Sequence, residues 1–160
     1  MTKKPHKKLL ANTYCLSELP TLARSVVSHL QPCLPFTLLL TGYVGCGKTT
    51  FSRFLLNEIG VTDGSSVTSP SFCYAHTYDT TFGTIVHMDL YRCDGKTLPL
   101  EMGLDHLNPV AYLVEWPEKL PPELTDHLMA QDMSCFWLKI ENHDTTITSD
   151  QRFFQLFSDQ

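Results

Sequence analysis

The first strong pattern along the chain is helical. Four apolar residues recur at intervals of one, three and four positions: Leu22, Val26, Val27 and Leu30. This spacing predicts an amphipathic helix over residues 18–31. Ser17, just before it, carries the hydroxyl expected of a helix N-cap, and residues 10–16 predict a short preceding strand.

A buried strand and a second helix follow. Phe36–Thr41 is almost wholly apolar, which is typical of a strand covered on both faces. After a glycine-rich turn, residues 48–59 predict a helix that Gly60 ends. A helix that directly follows a buried strand is one unit of an α/β fold.

The second half of the chain is richer in predicted strands. Residues 72–78 and 84–90 predict a hairpin around residues 79–83, and a buried strand is expected over residues 110–114. The remaining expectations are a loop at 62–71, a short helix at 98–107, an extended stretch at Pro117, Pro121 and Pro122, and strands at 135–141 and 152–157. The whole pattern predicts a single α/β domain over residues 11–160, with a mixed sheet flanked by helices.

Charge changes this picture at the start of the chain. The net charge is −5, and Lys3, Lys4, Lys7 and Lys8 supply four of the twelve basic residues. The chain beyond residue 8 holds eight basic and seventeen acidic residues, or about −9. We therefore expect a basic, solvated tail over residues 1–10, on a body without the basic face that nucleic acids require.

Two further patterns bear on location and metals. No apolar run approaches the ~18 residues that span a membrane, so we expect a cytoplasmic protein with no membrane contact. None of the six cysteines lies within four residues of another, which gives no zinc-site spacing.

The glycine-rich turn is a complete P-loop. Residues 42–49 match G-x-x-x-x-G-K-[ST] at every fixed position, between a strand and a helix. Gly42, Gly45 and Gly47 allow backbone N–H groups to turn toward phosphates. Lys48 is expected to reach the β- and γ-phosphates, and the Thr49 hydroxyl to bind magnesium. The motif predicts nucleotide and Mg²⁺ binding.

Two other residues of this segment are assigned to the nucleotide site. Cys46 lies inside the loop, where it is either a thiol activated by the helix N-terminus or simply a small residue. The small-residue interpretation is preferred. Thr50 follows the motif directly and is placed with it.

Two carboxylates follow apolar strands, as the acid of a P-loop enzyme should. Asp89 ends one predicted strand and Glu115 ends another, and the pattern does not rank them. Trp116 either shapes the nucleotide pocket or packs in the core. Residues 68–72 hold three hydroxyls, which suit a switch loop that senses the γ-phosphate or an ordinary surface turn.

Five segments together resemble the bacterial TsaE (YjeE) family, the ATPase component of the system that makes threonylcarbamoyladenosine in tRNA. They are residues 40–51 around the P-loop, Thr-Ser-Pro-Ser-Phe at 68–72, His-Met-Asp-Leu-Tyr-Arg at 87–92, Leu-Glu-Met-Gly-Leu at 100–104 and Leu-Val-Glu-Trp-Pro at 113–117. They occur in the family's order, and the resemblance weakens after residue 124.

The resemblance implies roles for individual residues. Lys48 and Thr49 would hold phosphate and Mg²⁺, and Glu115 would be a metal ligand with a catalytic role. Asp89 would be the acid required for hydrolysis, and Trp116 an aromatic in the site. Two further assignments concern loops: Ser17 near the adenine, and Ser71 in the switch loop.

The implied function is weak, Mg²⁺-dependent ATP hydrolysis on partner proteins resembling TsaB and TsaD, with tRNA reached only through that complex. A small-molecule kinase and a nucleotide-sensing module without useful catalysis are the alternatives. Two positions depart from the family pattern. Tyr43 stands where an acidic residue is usual, and Ser71 stands where threonine is usual.

Overall fold

The computed structural model describes residues 7–62, 67, 70, 74–94, 104, 107–130, 132–142 and 150–159. Within them lie seven strands and three α-helices: β1 (Lys7–Tyr14), α1 (Leu19–Leu30), β2 (Phe36–Thr41), α2 (Lys48–Ile59), β3 (Ala75–Thr80), β4 (Gly83–Asp89), β5 (Ala111–Glu115), α3 (Pro122–Ala130), β6 (Ser134–Asn142) and β7 (Arg152–Ser158).

The strands form one mixed sheet in the order β1-β7-β6-β2-β5-β4-β3. The four central strands, β6, β2, β5 and β4, run parallel to one another. The outer pairs β3–β4, β6–β7 and β1–β7 are antiparallel. This is the predicted α/β fold with a mixed sheet, and the P-loop follows the central strand β2.

Both faces of the sheet are covered. Helices α1 and α2 pack on one face, where Leu38 and Leu113 point into a core with Phe51 of α2. On the other face Leu39 and Val114 pack with Leu124 of α3. Successive residues of a strand point to opposite faces, so Glu115 points to the α2 side, as Leu113 does.

Most predicted elements are confirmed with small shifts of their ends. The helices expected over residues 18–31 and 48–59 are α1 and α2, and the expected hairpin is β3–β4. The buried strands at 36–41 and 110–114 and the two late strands are also present. Parts of the expected loop at 62–71 and of the helix at 98–107 fall outside the described residues.

Two expectations about the first residues are corrected. Strand β1 begins at Lys7 rather than residue 10, because Lys7 and Lys8 pair with Ser158 and Phe157 of β7. Ser17 does not cap α1. It lies in a 3-10 turn, Leu16–Glu18, which displaces the helix start to Leu19.

The expectation of an extended stretch at the later prolines is wrong. Pro117 opens a 3-10 turn, Pro117–Lys119, and Pro122 opens α3. Proline is well tolerated in the first turn of a helix, because the N–H that it lacks has no partner there. In the part of the chain that the structure describes, no helix is long and apolar enough to cross a membrane.

Candidate functional site

The P-loop bends between β2 and α2 on three glycines with positive φ. Gly42 has a φ of 146°, and a Cβ there would lie 2.5 Å from the carbonyl oxygen of Ile140. Gly45 (φ 80°) and Gly47 (φ 105°) differ, because a Cβ at either would meet no atom within 4 Å. The loop is therefore packed against β6 at its first glycine and faces open space at the other two.

The Lys48 side chain is folded back into the loop. Its Nζ donates to the carbonyl oxygens of Gly42 at 2.7 Å and Tyr43 at 3.0 Å. The same ammonium group lies 3.6 Å from the ring centroid of Trp116, in cation–π geometry. Only 5% of Lys48 is exposed. A single charge is thus held at the loop by two carbonyls and one aromatic face.

The Glu115 carboxylate has three hydrogen-bond partners among the described residues. The Thr49 hydroxyl donates to its Oε2 at 2.8 Å. Its Oε1 accepts from the Ser52 hydroxyl at 3.0 Å and lies 2.8 Å from His87 Nε2. Glu115 is 1% exposed. The end of β5 is therefore tied to the first two turns of α2 by two side-chain hydrogen bonds.

Asp89 lies beside Glu115 but has different surroundings. The two residues are Cα partners in the β4–β5 register, and both are buried. Asp89 Oδ1 accepts the backbone N–H of Tyr91 at 3.0 Å. Glu115 is thus in direct contact with the Thr49 hydroxyl, while Asp89 stabilises the turn that follows its own strand.

An aromatic and cationic cluster covers the next turn. Trp116 has the left-handed φ of 62°, which is uncommon for a bulky residue. Its ring lies 5.1 Å from that of Tyr91. The Lys119 amine lies 4.7 Å from the Tyr91 ring and donates to the Tyr91 carbonyl. Trp116 therefore links Lys48 in the P-loop to the segment after Asp89.

A pocket of about 270 Å³ opens on the far side of the loop. Its walls come from the β1–α1 turn, the P-loop and β7: Tyr14, Cys15, Leu16, Leu19, Gly45, Cys46, Gly47, Thr50, Asp150, Arg152 and Phe154. The lining is mostly apolar with one acid and one base, as ligand pockets commonly are. Its position beside Gly45 and Gly47 makes it continuous with the open side of the loop.

Cys46 belongs to the wall of this pocket and is buried. Burial raises the pKa of its thiol, although the nearby Lys48 charge acts in the opposite direction. A raised pKa lowers the thiolate fraction, and the thiolate is the reactive form. The interpretation of Cys46 as a small packing residue is therefore favoured over an activated thiol.

The residues at the loop fit a magnesium ion with a nucleotide. Mg²⁺ prefers hard oxygen ligands and usually takes only one or two from protein, with water and phosphate oxygens completing its shell. The Thr49 hydroxyl and the Glu115 carboxylate are such a pair, 2.8 Å apart. No cluster of three or more His, Cys, Asp or Glu side chains that could hold a metal without phosphate occurs among the described residues.

The structure brings together most residues that the sequence singled out. Gly42, Lys48, Thr49, Glu115 and Trp116 form one contact network. Asp89 is adjacent to it through the β4–β5 pairing. Gly45, Cys46, Gly47 and Thr50 line the pocket. Ser17 does not line that pocket, although its hydroxyl lies 3.0 Å from the Sγ of Cys15, which does. Ser71 lies outside the described residues.

Sequence reasoning missed two residues that touch Glu115. Ser52 stands one helical turn after Thr49, and this spacing places the two hydroxyls on one face of α2. His87 stands two residues before Asp89 in a strand, and so on the same face of the sheet. Both positions were accessible from periodicity alone.

Sequence reasoning also missed most of the pocket wall. Tyr14 and Leu16 are more than 130 residues away from Phe154 along the chain. No local motif predicts that segments so distant in sequence line one pocket. Tyr43, where the resemblance led us to expect an acidic residue, is exposed and donates its hydroxyl to Asn142 Oδ1.

The chain is similar to known proteins over most of its length. A family model described as "Threonylcarbamoyl adenosine biosynthesis protein TsaE" matches residues 14–150. The chain is 34% identical over 113 residues to a Rickettsia felis protein named "tRNA threonylcarbamoyladenosine biosynthesis protein TsaE", covering 70% of this chain and 64% of that protein. A Rickettsia bellii protein of the same name is 34% identical over 79% of this chain and 83% of its own length.

Two further comparisons bear on extent and fold. The alignments with the Rickettsia felis and Rickettsia conorii proteins cover less than two thirds of those proteins, at 64% and 66% of their lengths. The crystal structure of YdiB from Bacillus subtilis superposes with a TM-score of 0.61 at 22% identity, over 97% of this chain and 89% of that one. At that identity the likeness concerns the fold.

Proposed function

The chain belongs to the TsaE family, and from this premise we propose that it binds ATP with Mg²⁺ and hydrolyses it slowly during threonylcarbamoyladenosine biosynthesis in tRNA. The observation that carries the proposal is the hydrogen bond between the Thr49 hydroxyl and Glu115, beside the buried Lys48. A glycine-rich turn without chemistry would have no reason to bury a lysine and a carboxylate at one loop.

The proposed roles follow from the contacts. The loop N–H groups and the N-terminus of α2 hold the phosphates, and Lys48 exchanges its carbonyl partners for phosphate oxygens. Thr49 and Glu115 would hold Mg²⁺, which would neutralise phosphate charge. Asp89, next to Glu115 in the sheet, orients the attacking water.

We further propose that the base occupies the pocket beside the loop. Tyr14, Leu16 and Phe154 offer apolar and aromatic surface of the kind on which a nucleobase packs. The preference for ATP over GTP rests on family membership. Ser17 is near this pocket through its contact with Cys15, and Ser71 stays a proposed switch residue.

The proposed setting is a cytoplasmic complex with TsaD-like and TsaB-like proteins, which would bring the ATPase to tRNA. The relatives' names support the pathway. The partners themselves are part of the proposal, as are the slow rate alone and its acceleration by docking.

The test compares the wild type with Lys48→Ala and Asp89→Asn, alone and with purified TsaD- and TsaB-like proteins. We expect Lys48→Ala to lose ATP binding. We expect Asp89→Asn to keep ATP binding, because its amide oxygen can still accept from Tyr91 N–H and the turn is preserved. We expect its turnover to fall at least tenfold, because the carboxylate charge is lost.

Binding by calorimetry and phosphate release supply the two readouts. Phosphoryl transfer from ATP to a small-molecule acceptor would favour a kinase instead. Wild-type turnover that is the same with and without the partners would contradict the docked-ATPase proposal.

A further inference from the structure

One buried side chain at the site has no part in the proposed chemistry. His87 lies in β4 with 0% exposure, and its Nε2 is 2.8 Å from Glu115 Oε1. Its Cα partner in β5 is Leu113, two residues before Glu115. The imidazole therefore lies beneath the carboxylate, on the face of the sheet that α2 covers.

The other ring nitrogen fixes the tautomer. Nδ1 of His87 is buried and has no hydrogen-bond partner among the described residues. A proton on Nδ1 alone would leave the lone pair of Nε2 facing the Glu115 oxygen 2.8 Å away, with two acceptors in contact, and would bury a donor without an acceptor among the described residues. The geometry thus places the ring proton on Nε2, where it is donated to Glu115.

The hydrogen bonds of Glu115 are divided between its two oxygens. Among the described residues, Oε1 receives His87 and Ser52, while Oε2 receives the Thr49 hydroxyl alone. Two donors on one oxygen hold the carboxylate plane and turn the second oxygen toward the P-loop. Without His87, the Ser52 hydroxyl alone would hold Oε1. That hydroxyl has one proton, and the Lys48 carbonyl oxygen, also 3.0 Å away, competes for it.

We propose that His87 is a positioning residue for magnesium binding, which orients Glu115 so that Oε2 faces the Thr49 hydroxyl. This inference rests on the proposed function, because it assigns His87 a role toward the cation of that same site. His87 itself touches neither nucleotide nor metal. Neighbours that orient metal ligands typically change metal affinity or activity by about 10- to 100-fold when they are removed.

The first test titrates Mg²⁺ at a fixed concentration of a fluorescent ATP analogue. We expect His87→Leu, which removes the donor at similar volume, to raise the Mg²⁺ concentration for half-maximal binding about tenfold. His87→Gln, whose amide N–H reaches a place near that of Nε2, should stay within about threefold of wild type. Nucleotide binding in EDTA should not change in either variant.

His76→Leu is the matched control. His76 is the Cα partner of His87 on β3, one strand further from the carboxylate, so its loss should leave the Mg²⁺ titration unchanged. Thermal unfolding of all three variants reports any general loss of structure. A purely structural role for His87 would weaken binding with and without Mg²⁺ alike, and that result would overturn the proposal.

The second test needs no nucleotide or metal. Long-range ¹⁵N–¹H spectra of the free protein should show His87 protonated at Nε2. A ring protonated at Nδ1, or a mixture of tautomers, would contradict the inference. A wild type without Mg²⁺-dependent nucleotide binding would overturn the proposed function and this inference with it. If the wild type shows Mg²⁺-dependent nucleotide binding and His87→Leu gives the same Mg²⁺ titration curve, the inference alone would be overturned.

Discussion

Gly42 is the residue at which the P-loop has least room. A Cβ there would lie 2.5 Å from the Ile140 carbonyl oxygen and 2.7 Å from Cys46 Sγ, and the oxygen belongs to a backbone that cannot turn away. The glycines of the motif are thus not equivalent. Gly42 is required by packing within the protein, while Gly45 and Gly47 leave space for a ligand.

We therefore expect Gly42→Ala to lower the free energy of unfolding of the nucleotide-free protein by about 2–4 kcal/mol, through overpacking and an unfavourable φ. Gly45→Ala should cost only about 1 kcal/mol, from its positive φ alone. Urea unfolding measures both. Equal losses of unfolding free energy in the two variants would show that the close contact of Gly42 with β6 does not add to the cost of a Cβ.

Cys135, at the start of β6, should make the free energy of unfolding depend on pH in the alkaline range. Burial, with a smaller contribution from the Asp159 charge, raises the pKa of its thiol from 9.0 to about 12. An unfolded chain loses this proton at lower pH than the folded one does. The stabilisation is therefore complete below pH 9 and is lost as the pH rises from 9 toward 12.

Cys135→Val should flatten this part of the stability curve, because it removes the thiol and nearly keeps its volume. Urea unfolding at pH 8, 9, 10 and 10.5 measures the slope of wild type and variant. Tyrosines and lysines titrate in both proteins, so only the difference between the two slopes counts. Parallel curves would show that the folded thiol ionises like the unfolded one.

At the scale of elements, Phe154 of β7 connects three parts of the fold. Its ring lies 5.9 Å from that of Tyr14 in β1 and 5.9 Å from that of Phe51 in α2. It is buried and also lines the pocket. One side chain thus joins the edge of the sheet to the helix that follows the P-loop.

We expect Phe154→Ala to lower the free energy of unfolding by about 3–5 kcal/mol, as loss of a buried aromatic ring does. Phe157→Ala, on the same strand but only partly buried, should cost clearly less. Denaturant unfolding measures both variants. Similar costs would argue that Phe154 does not connect these elements.

Elements with strong local signals were predictable from the sequence. Periodicity predicted α1, the glycine-rich turn and Gly60 bounded α2, and an apolar run predicted β2. The P-loop was predictable because phosphate binding requires particular residues at fixed spacing. Both acids were predictable because each directly follows an apolar strand. Elements held by distant pairing were harder: the start of β1 depends on β7, and α3 begins at prolines whose helix-starting role is decided by what packs around them.

The same distinction applies to the site. Thr49 and Glu115 were identified separately, but the bond between them depends on where β5 places its end beside α2. His87 begins one of the segments that resemble the family, but its contact with Glu115 depends on the register of β4 and β5. The pocket wall was missed because β1 and β7 approach it from opposite parts of the sequence.

At the scale of the whole molecule, charge limits what the chain does by itself. Beyond residue 8 the seventeen acidic residues outnumber the eight basic ones. Phosphate backbones are attracted mainly by lysine and arginine, and such binding weakens steeply with salt. With the proposed function, a chain of this charge would therefore need partner proteins to approach tRNA.

We expect the isolated protein not to retard tRNA in a native gel at 0.15 M salt, at protein concentrations up to about 10 µM. Addition of the TsaD- and TsaB-like proteins should produce a shifted complex that contains it. A chain lacking residues 1–6 serves as the control for Lys3 and Lys4, the lysines of the basic start that precede β1. Retardation by the isolated protein that survives this truncation would contradict the expectation.

The pairing of β1 with β7 also bears on synthesis. Residues 7–14 leave the ribosome early, whereas their partner residues 152–158 emerge more than 130 residues later. Until then Tyr14 and Leu16 have no opposite wall, and Phe154 is absent from the pocket. A nascent chain would expose a complete P-loop long before it could enclose a base. If the base binds in this pocket as proposed, tight nucleotide binding would therefore require residues 152–158 to have been translated.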